Sequence, residues 1–482
     1  MTSVLPDDIL IEIFDIYVGS DEDLGKHFEK QQRVMGWLTL VHVCRRWRSV
    51  VFQSPRRLNL RLGCTPKTPI TDTLNIWPPL PLVVHVPCWN GSPGVDNIVA
   101  ALEHNDRICQ IQLERLLSLQ WGYITNLASM QKPFPELTHL TLGTPHQDGP
   151  TLPDSSLSGT ASRLQSLCLF SVSFPRLPNL LLSTTHLVHL YLHSIPGSGY
   201  IPPEVMATSL SSLANLKFLH LHFRFSRLGT ALLPPRPLTR SILPSLTKVR
   251  FTGLCRYLEE VLTRVDAPQL NELRIYFFDQ TTFDTPQLFQ LISRRPTLRA
   301  PEKGYIIFST SFIIVKFPSR TSDYGALIVD IPCEAPKLRY LSSLEKVFTL
   351  SLPPLLTLED LYIHENPFLR PGRLDDVENT LWLQLLLPFV AVKNLFLEKE
   401  FVPRFVPALQ ELVGGRTTEV LPILENIFLE GFQPSGPLHE GIETFVAARR
   451  LTSHPVAVSR WDRDLERERH AWQGEARWIY DW

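Results

Sequence analysis

No stretch of this sequence is apolar for long enough to cross a bilayer as a helix, which takes about 20 residues. The two most apolar runs, Tyr305–Phe317 and Leu381–Val392, are short and are broken by Lys, Gln, Ser or Pro. The first residues, MTSVLPDDIL, place two aspartates where a secretory leader needs basic residues and then an apolar run. There is almost no net charge: 47 Lys and Arg against 48 Asp and Glu give −1. That excludes an overall electrostatic footprint for nucleic acid or anionic membrane. Cysteine is sparse. Cys44, Cys64, Cys88, Cys109, Cys168, Cys255 and Cys333 are widely spaced, odd in number and without a C-x-x-C pair. Such a set reads as small buried residues in a reducing compartment rather than a disulfide framework. These absences together predict an intracellular protein, cytoplasmic or nuclear, with neither nucleic acid nor membrane as a partner.

Catalytic signatures are also missing. The sequence contains no phosphate-binding G-x-x-x-x-G-K-[ST], no G-x-G-x-x-G, no H-E-x-x-H and no G-x-S-x-G. His186, His189 and His193 lie close together in the chain, and His193, His220 and His222 can meet on adjacent strands, but no carboxylate or cysteine has matching metal-ligand spacing. No catalytic residue, metal or cofactor is expected, and the chain is read as a non-enzyme. The basic group Arg45, Arg46, Arg48, Arg56, Arg57 and Arg61 reads as a solvated rim.

What is abundant is proline and leucine. The 41 prolines are spread along the chain, often just before a short apolar run. Proline removes an amide donor and disfavours helix in the residue before it, so long helices are not expected over most of the chain.

The N-terminus is the exception. Pro6, Asp7 and Asp8 suit a first helical turn, and Ile9, Leu10, Ile13, Phe14 and Tyr17 follow as one apolar stripe. After a polar interval, Leu40, Val43, Cys44, Trp47, Val50 and Val51 form a second stripe. Three short helices make a core too small to stand comfortably alone, so a partner or the following domain is expected to support them. The pattern L-P-x-x-[IL]-L-x-x-I-F, followed by L-x-x-V-C-[RK]-x-W-x-x-V, resembles the F-box. It is carried by Leu5, Pro6, Ile9, Leu10, Ile13 and Phe14, then Leu40, Val43, Cys44, Arg45, Trp47 and Val50. The resemblance implies docking through Leu5, Pro6, Ile9, Leu10, Ile13, Phe14, Leu40, Val43, Cys44, Trp47 and Val50 onto the Skp-type adaptor of a cullin–RING ubiquitin ligase. Two features depart from the family pattern: an insertion around Asp21–Arg33, and Ser54-Pro55-Arg56-Arg57 in place of the usual closing aromatic. The stretch that follows is similar to the F-box proteins of mushroom-forming fungi, in which the F-box precedes a degenerate leucine-rich region.

A phrase L-x-x-L-x-L recurs at Leu137/Leu140/Leu142, Leu164/Leu167/Leu169, Leu187/Leu190/Leu192, Leu216/Leu219/Leu221, Leu246/Val249/Phe251 and Leu270/Leu273/Ile275. Ile108/Ile111/Leu113 opens the series. After a gap it returns at Leu358/Leu361/Ile363, Val392/Leu395/Leu397 and Leu424/Ile427/Leu429. This is the strand core of a leucine-rich repeat, whose units bury their leucines only against neighbours and so stack. No asparagine follows at the usual ladder position. The gap holds Tyr305–Phe317 and Ala326–Ile331, read as strands of eroded repeats. Strand alternation sends the intervening side chains to the opposite face. They are Thr141/Gly143, Cys168/Phe170, Tyr191/His193, His220/His222, Arg250/Thr252, Arg274/Tyr276, Tyr362/His364, Phe396/Glu398 and Phe428/Glu430. Of these, Tyr191, His193, His220, His222, Arg250, Arg274, Tyr276, Tyr362 and His364 are the candidate substrate-binding residues, being types that anchor interfaces.

The expected fold is therefore α/β: a three-helix F-box over residues 1–62, a connecting segment over 63–105, an irregular leucine-rich-repeat solenoid over 106–435, and a C-terminal helical cap or tail over 436–482. The tail carries alternating charges together with Trp461, Leu465, Trp472, Trp478, Tyr480 and Trp482. The expected role is substrate recognition in a Skp–cullin–F-box ligase, with the adaptor, through it a cullin, and a target protein as partners. The alternative is a repeat scaffold unrelated to ubiquitination.

Overall fold

A computed structural model describes residues 5–18, 36–53, 60–67, 69–76, 79–86, 93–114, 116–125, 128–145, 149–157, 161–224, 240–278, 285–299, 301–309, 312–319, 322–332, 356–366, 379–413, 416–431 and 437–461. The inserted interval Asp21–Arg33, the Ser54–Arg57 segment and the tail beyond Trp461 lie outside the described residues. The chain divides into two compact units, Met1–Ile201 and Pro202–Trp482.

The first unit opens with three short helices, α1 (Asp7–Val18), α2 (Gly36–Val43) and α3 (Arg45–Gln53). Their apolar stripes converge: Leu10, Phe14, Leu40, Val41, Val50 and Val51 are buried. The Phe14 and Trp47 rings meet at 4.8 Å. Arg46 ties α3 to the start of α1, pairing with Asp7 at 2.7 Å and donating to the Leu5 carbonyl. Arg48 Nε donates to the Val41 carbonyl at 2.9 Å, holding α3 against the end of α2.

Six strands follow, β1 (Leu60–Gly63), β2 (Leu82–His85), β3 (Ile108–Leu113), β4 (His139–Gly143), β5 (Ser166–Phe170) and β6 (His189–Ile195). They pair in chain order, all parallel. Leucine columns run straight across them. Ile111, Leu140, Leu167 and Leu190 are in register, as are Leu113, Leu142, Leu169 and Leu192, and all are buried. The ladder reaches back to β1 and β2, so the segment 63–105 contributes strand β2 as well as helices Ile70–Ile76 and Val95–Leu102.

The second unit continues with β7 (Phe218–Phe223), β8 (Ser241–Ile242), β9 (Lys248–Gly253), β10 (Val265–Asp266), β11 (Glu272–Phe277), β12 (Lys303–Phe308), β13 (Phe312–Ser319), β14 (Ser322–Pro332), β15 (Asp360–Glu365), β16 (Asn394–Leu397), β17 (Asn426–Glu430) and β18 (Ala457–Trp461). Its main sheet has the order β7-β9-β11-β14-β13-β12-β15-β16-β17-β18, while β8 and β10 form a separate small parallel pair. Leu219, Val249, Leu273 and Leu327 make one inward column, buried except for the half-buried Val249. Ile306, Ile363, Leu397 and Leu429 make another. Gly304 occupies an inward position where its neighbours carry Leu361 and Leu395, because a Cβ there would lie 2.6 Å from the Leu358 side chain.

The two runs read as eroded repeats are strands, but of a different kind. β12, β13 and β14 form an antiparallel meander that enters the sheet in reverse order, so that β13 alone among the described strands of this sheet runs against the rest. Few residues separate β12 from β13 and β13 from β14. Such short links join antiparallel strands, whereas a parallel return needs a dozen residues or more. On the outward face of the meander Ile307, Ile314 and Ile328 pack beside Tyr305 and Phe312, with Lys316 and Asp330 on the same face.

Crossover helices cover the inward face, and their starts explain much of the proline. Helices Leu177–Ser183, Pro203–Leu210, Pro286–Ser293 and Val402–Gln410 each carry proline at the first or second position, and none of the four is capped by the side chain of the residue before it. Proline is favoured there because the amide it lacks has no intrahelical partner. The longest described helix is Pro437–Leu451, and no described helix is long and apolar enough to cross a membrane.

Candidate recognition surfaces

The eleven residues assigned to adaptor docking separate into two sets. Leu10, Phe14, Leu40 and Val50 are buried and form the helical core, with Cys44 and Trp47 half-buried beside them. Leu5, Pro6, Ile9, Ile13 and Val43 are exposed. Leu5, Ile9 and Ile13 extend at helical spacing to Ile16, which is 81% exposed. The spacing that buries one face of α1 thus leaves a second apolar face in water, an unusual arrangement unless something covers it.

Outward side chains of the parallel strands form ladders, because residues in register on adjacent strands lie about 4.8 Å apart. In the first unit, Thr141, Cys168 and Tyr191 share one row, and Gly143, Phe170 and His193 the next. Phe170 and Tyr191 meet at 5.0 Å, and Tyr191 and His193 stack at 5.7 Å. Burial pushes the Cys168 thiol up to about 11, with the Ser166 and Thr141 hydroxyls working against the shift.

In the second unit the outward face begins with a polar patch. His220, Arg250 and Arg274 are in one row, with Ile328 of β14 beyond them. His222, Thr252, Tyr276 and Asp330 form the next. Glu272 accepts from Lys248 at 3.0 Å and lies 3.6 Å from Arg250, whose guanidinium also sits 5.6 Å over the Phe218 ring. Arg274 holds Asp330 at 3.0 Å. The sequence placed these arginines on the outward face; the structure adds that each is bound to a carboxylate of a neighbouring strand.

Beyond the meander the face turns aromatic. Tyr305, Tyr362, Phe396 and Phe428 are in register and stack at 4.7, 4.1 and 4.5 Å. Trp461 crosses above, 5.9 Å from Tyr362 and 5.6 Å from Phe396. Alternation alone treats Tyr362, His364 and His220 as presented side chains, but all three are buried. Tyr362 is enclosed by rings on both sides and Trp461 across them; His364 packs on Tyr305, with Nδ1 3.0 Å from the Glu365 carbonyl. Beside the rings, Asn426 donates to Asn394 at 2.8 Å and Asn394 to Asp360 at 2.7 Å. This amide ladder starts the strands instead of following them, which is why the repeat phrase did not disclose it.

The structure also reveals staples between repeats. Arg107 donates through Nε and Nη2 to the Leu80 carbonyl at 3.1 and 2.9 Å. Arg295 donates to the Ala267 carbonyl at 2.9 Å and pairs with Asp266. Arg449, fully buried, reaches the carbonyls of Thr417, Leu421, Pro422 and Leu424. Burial holds its affinity for the proton below the usual arginine range. An arginine one repeat-length from a turn was the available signal.

Of the histidines considered as metal ligands, His193 belongs to the first unit and His220 and His222 to the second. Glu398, Glu400 and Glu430 bring carboxylates within 4.8 Å of one another. Glu398 accepts from the Glu365 amide, Glu430 from the Lys399 amide at 3.3 Å, and Glu400 lies 3.6 Å from the Lys399 amine. These contacts give the carboxylates a role at the strand ends, and no metal is assigned to them.

No protein-family model matches this chain, and no curated protein does. Among solved structures it is similar to the leucine-rich repeat-containing protein LegL7 of Legionella pneumophila, at 10% identity and a TM-score of 0.27, over 80% of this chain and 97% of that one. It is also similar to a leucine-rich-repeat protein of Leptospira interrogans, at 13% identity and a TM-score of 0.25, over 75% and 98% of the two chains. In-register leucine columns and strand–crossover units recur within each of the two units, and in the second they are interrupted by the meander.

Proposed function

We propose that this chain is a substrate-receptor subunit of a Skp–cullin–F-box type ubiquitin ligase. The N-terminal helices dock the Skp-type adaptor and through it a cullin, the outward sheet face holds a target protein, and catalysis belongs to other subunits. The observation that carries the reading is the second apolar face of α1, Ile9, Ile13 and Ile16 with Leu5 just before it, left in water beside a helical core that is already satisfied. An amphipathic helix of this kind binds by laying its apolar face in a partner's groove. The F-box resemblance of the same residues supports the adaptor as that partner.

Co-purification of the full chain with a Skp-type adaptor tests this. The wild type is expected to form a stable complex, and Ile9→Glu with Ile13→Glu to abolish it without lowering the thermal midpoint. A wild type that fails to bind the adaptor overturns the reading. The second reading, a repeat scaffold outside ubiquitination, rests on the outward face alone and expects no adaptor binding at all.

A further inference from the structure

We infer that the outward face of β7, β9 and β11 is a docking strip for an acidic segment of a target protein, rich in Asp and Glu. This rests on the receptor reading above only for the identity of what is bound, a target.

Which charges reach water sets the character of this face. Lys248, Arg250 and Arg274 stand on adjacent strands, with Arg250 and Arg274 in register. Glu272 and Asp330 are interleaved with them. The carboxylates lie at the bottom of the layer: the side chains of Glu272 and Asp330 are 9% and 4% exposed. The cations lie on top, with 47% of the Lys248, 29% of the Arg250 and 28% of the Arg274 side chain in solvent. A visiting group therefore meets ammonium and guanidinium first. The balance also favours the cations, since one carboxylate, Glu272, serves both Lys248 and Arg250. The chain as a whole has a net charge of −1, so the strip is a local feature of this face.

The buried acids give the strip its geometry. Each fixes a long flexible cation against the sheet, so less side-chain freedom is lost when a ligand arrives. Phe218 under Arg250, and Tyr276 one row away, supply flat apolar surface beside the charges. Guanidinium groups in fixed orientation suit carboxylates, which they bind through paired N–H donors. Complementary charge of this kind raises the association rate and makes it sensitive to salt.

The test uses the full chain and a fluorescein-labelled dodecaglutamate peptide, with a Gly–Ser peptide of equal length as control, read by anisotropy at low and high salt. Wild type is expected to bind dodecaglutamate and not the control, with affinity lost as salt rises. Lys248→Gln with Arg250→Gln is expected to weaken binding roughly tenfold, the size of change that loss of complementary interface charges brings. Glu272→Gln removes the buried counter-charge but keeps every cation and an acceptor oxygen to position them, and is expected to tighten binding; a folding defect cannot mimic a gain. Equal binding of the two peptides by wild type, or no response to either variant, overturns the strip. Adaptor co-purification does not involve these residues, so failure of the strip and failure of the ligase reading are separately visible.

Discussion

Tyr362 and Phe396 face each other across β15 and β16 with ring centroids 4.1 Å apart and planes 8° from parallel. The register forces this, since in-register residues of adjacent strands are separated by little more than the thickness of a stacked ring. Tyr305 and Phe428 extend the stack on either side. Phe396→Leu keeps an apolar side chain but breaks the stack at its centre. It is expected to cost about 1 kcal/mol beyond any loss of buried area. Chemical unfolding of the full chain measures it, and an unchanged midpoint would mean the rings merely coexist.

Arg449 satisfies four carbonyls of the preceding crossover while wholly buried. Arg449→Met preserves much of the volume and removes every donor. Leaving those acceptors unpaired is expected to destabilise by ~3 kcal/mol. Hydrogen exchange should show the loosening first around residues 416–431, the segment the arginine holds.

His85 accepts burial as its main environment, which holds its pKa below the ordinary value of 6.5; a hydrogen bond to the Leu62 carbonyl works the other way. Because the unfolded chain then binds the proton more readily, this group's contribution is complete above about pH 6.5 and is lost on acidification. Thermal midpoints of wild type and His85→Gln should converge as the pH falls from 7.5 to 5.5. Parallel curves would show that His85 does not titrate with unfolding.

Burial pushes the Cys64 thiol up to about 12. Thiolate is the reactive form, so Cys64 is expected to resist iodoacetamide in the folded protein at pH 8 while half-buried Cys44 is labelled. Peptide mass spectrometry after brief labelling distinguishes them. Stability linked to Cys64 is full below the unfolded thiol pKa and declines as the pH rises toward 12.

The two faces of α1 predict opposite responses. Leu10→Ala removes a fully buried side chain and is expected to cost ~2–5 kcal/mol, melting the three-helix module. Ile16→Ser alters a solvated position and is expected to change stability by no more than about 0.5 kcal/mol. Circular dichroism on the full chain reads both.

Much of the repeat is legible in the sequence. L-x-x-L-x-L fixes which side chains point inward, because strand alternation is a local property of the backbone; every leucine column from Ile111 to Leu190 follows from it. The apolar stripes of α1 and α3 were readable for the same reason, helical period being local too. The direction of β13 was not, since the strand segments within Tyr305–Phe317 carry apolar residues on both faces and no mark of their neighbour's direction.

The sequence by itself thus determined the elements, their buried faces and the candidate outward residues, all set by short-range backbone geometry. Tertiary structure alone decided that Tyr362 and His364 are buried rather than presented, that Arg250 and Arg274 stand over buried carboxylates, and that Arg449 closes a turn 25–32 residues away. Each of these depends on which residue the register brings alongside, and register is a relation between strands that no single stretch of chain contains.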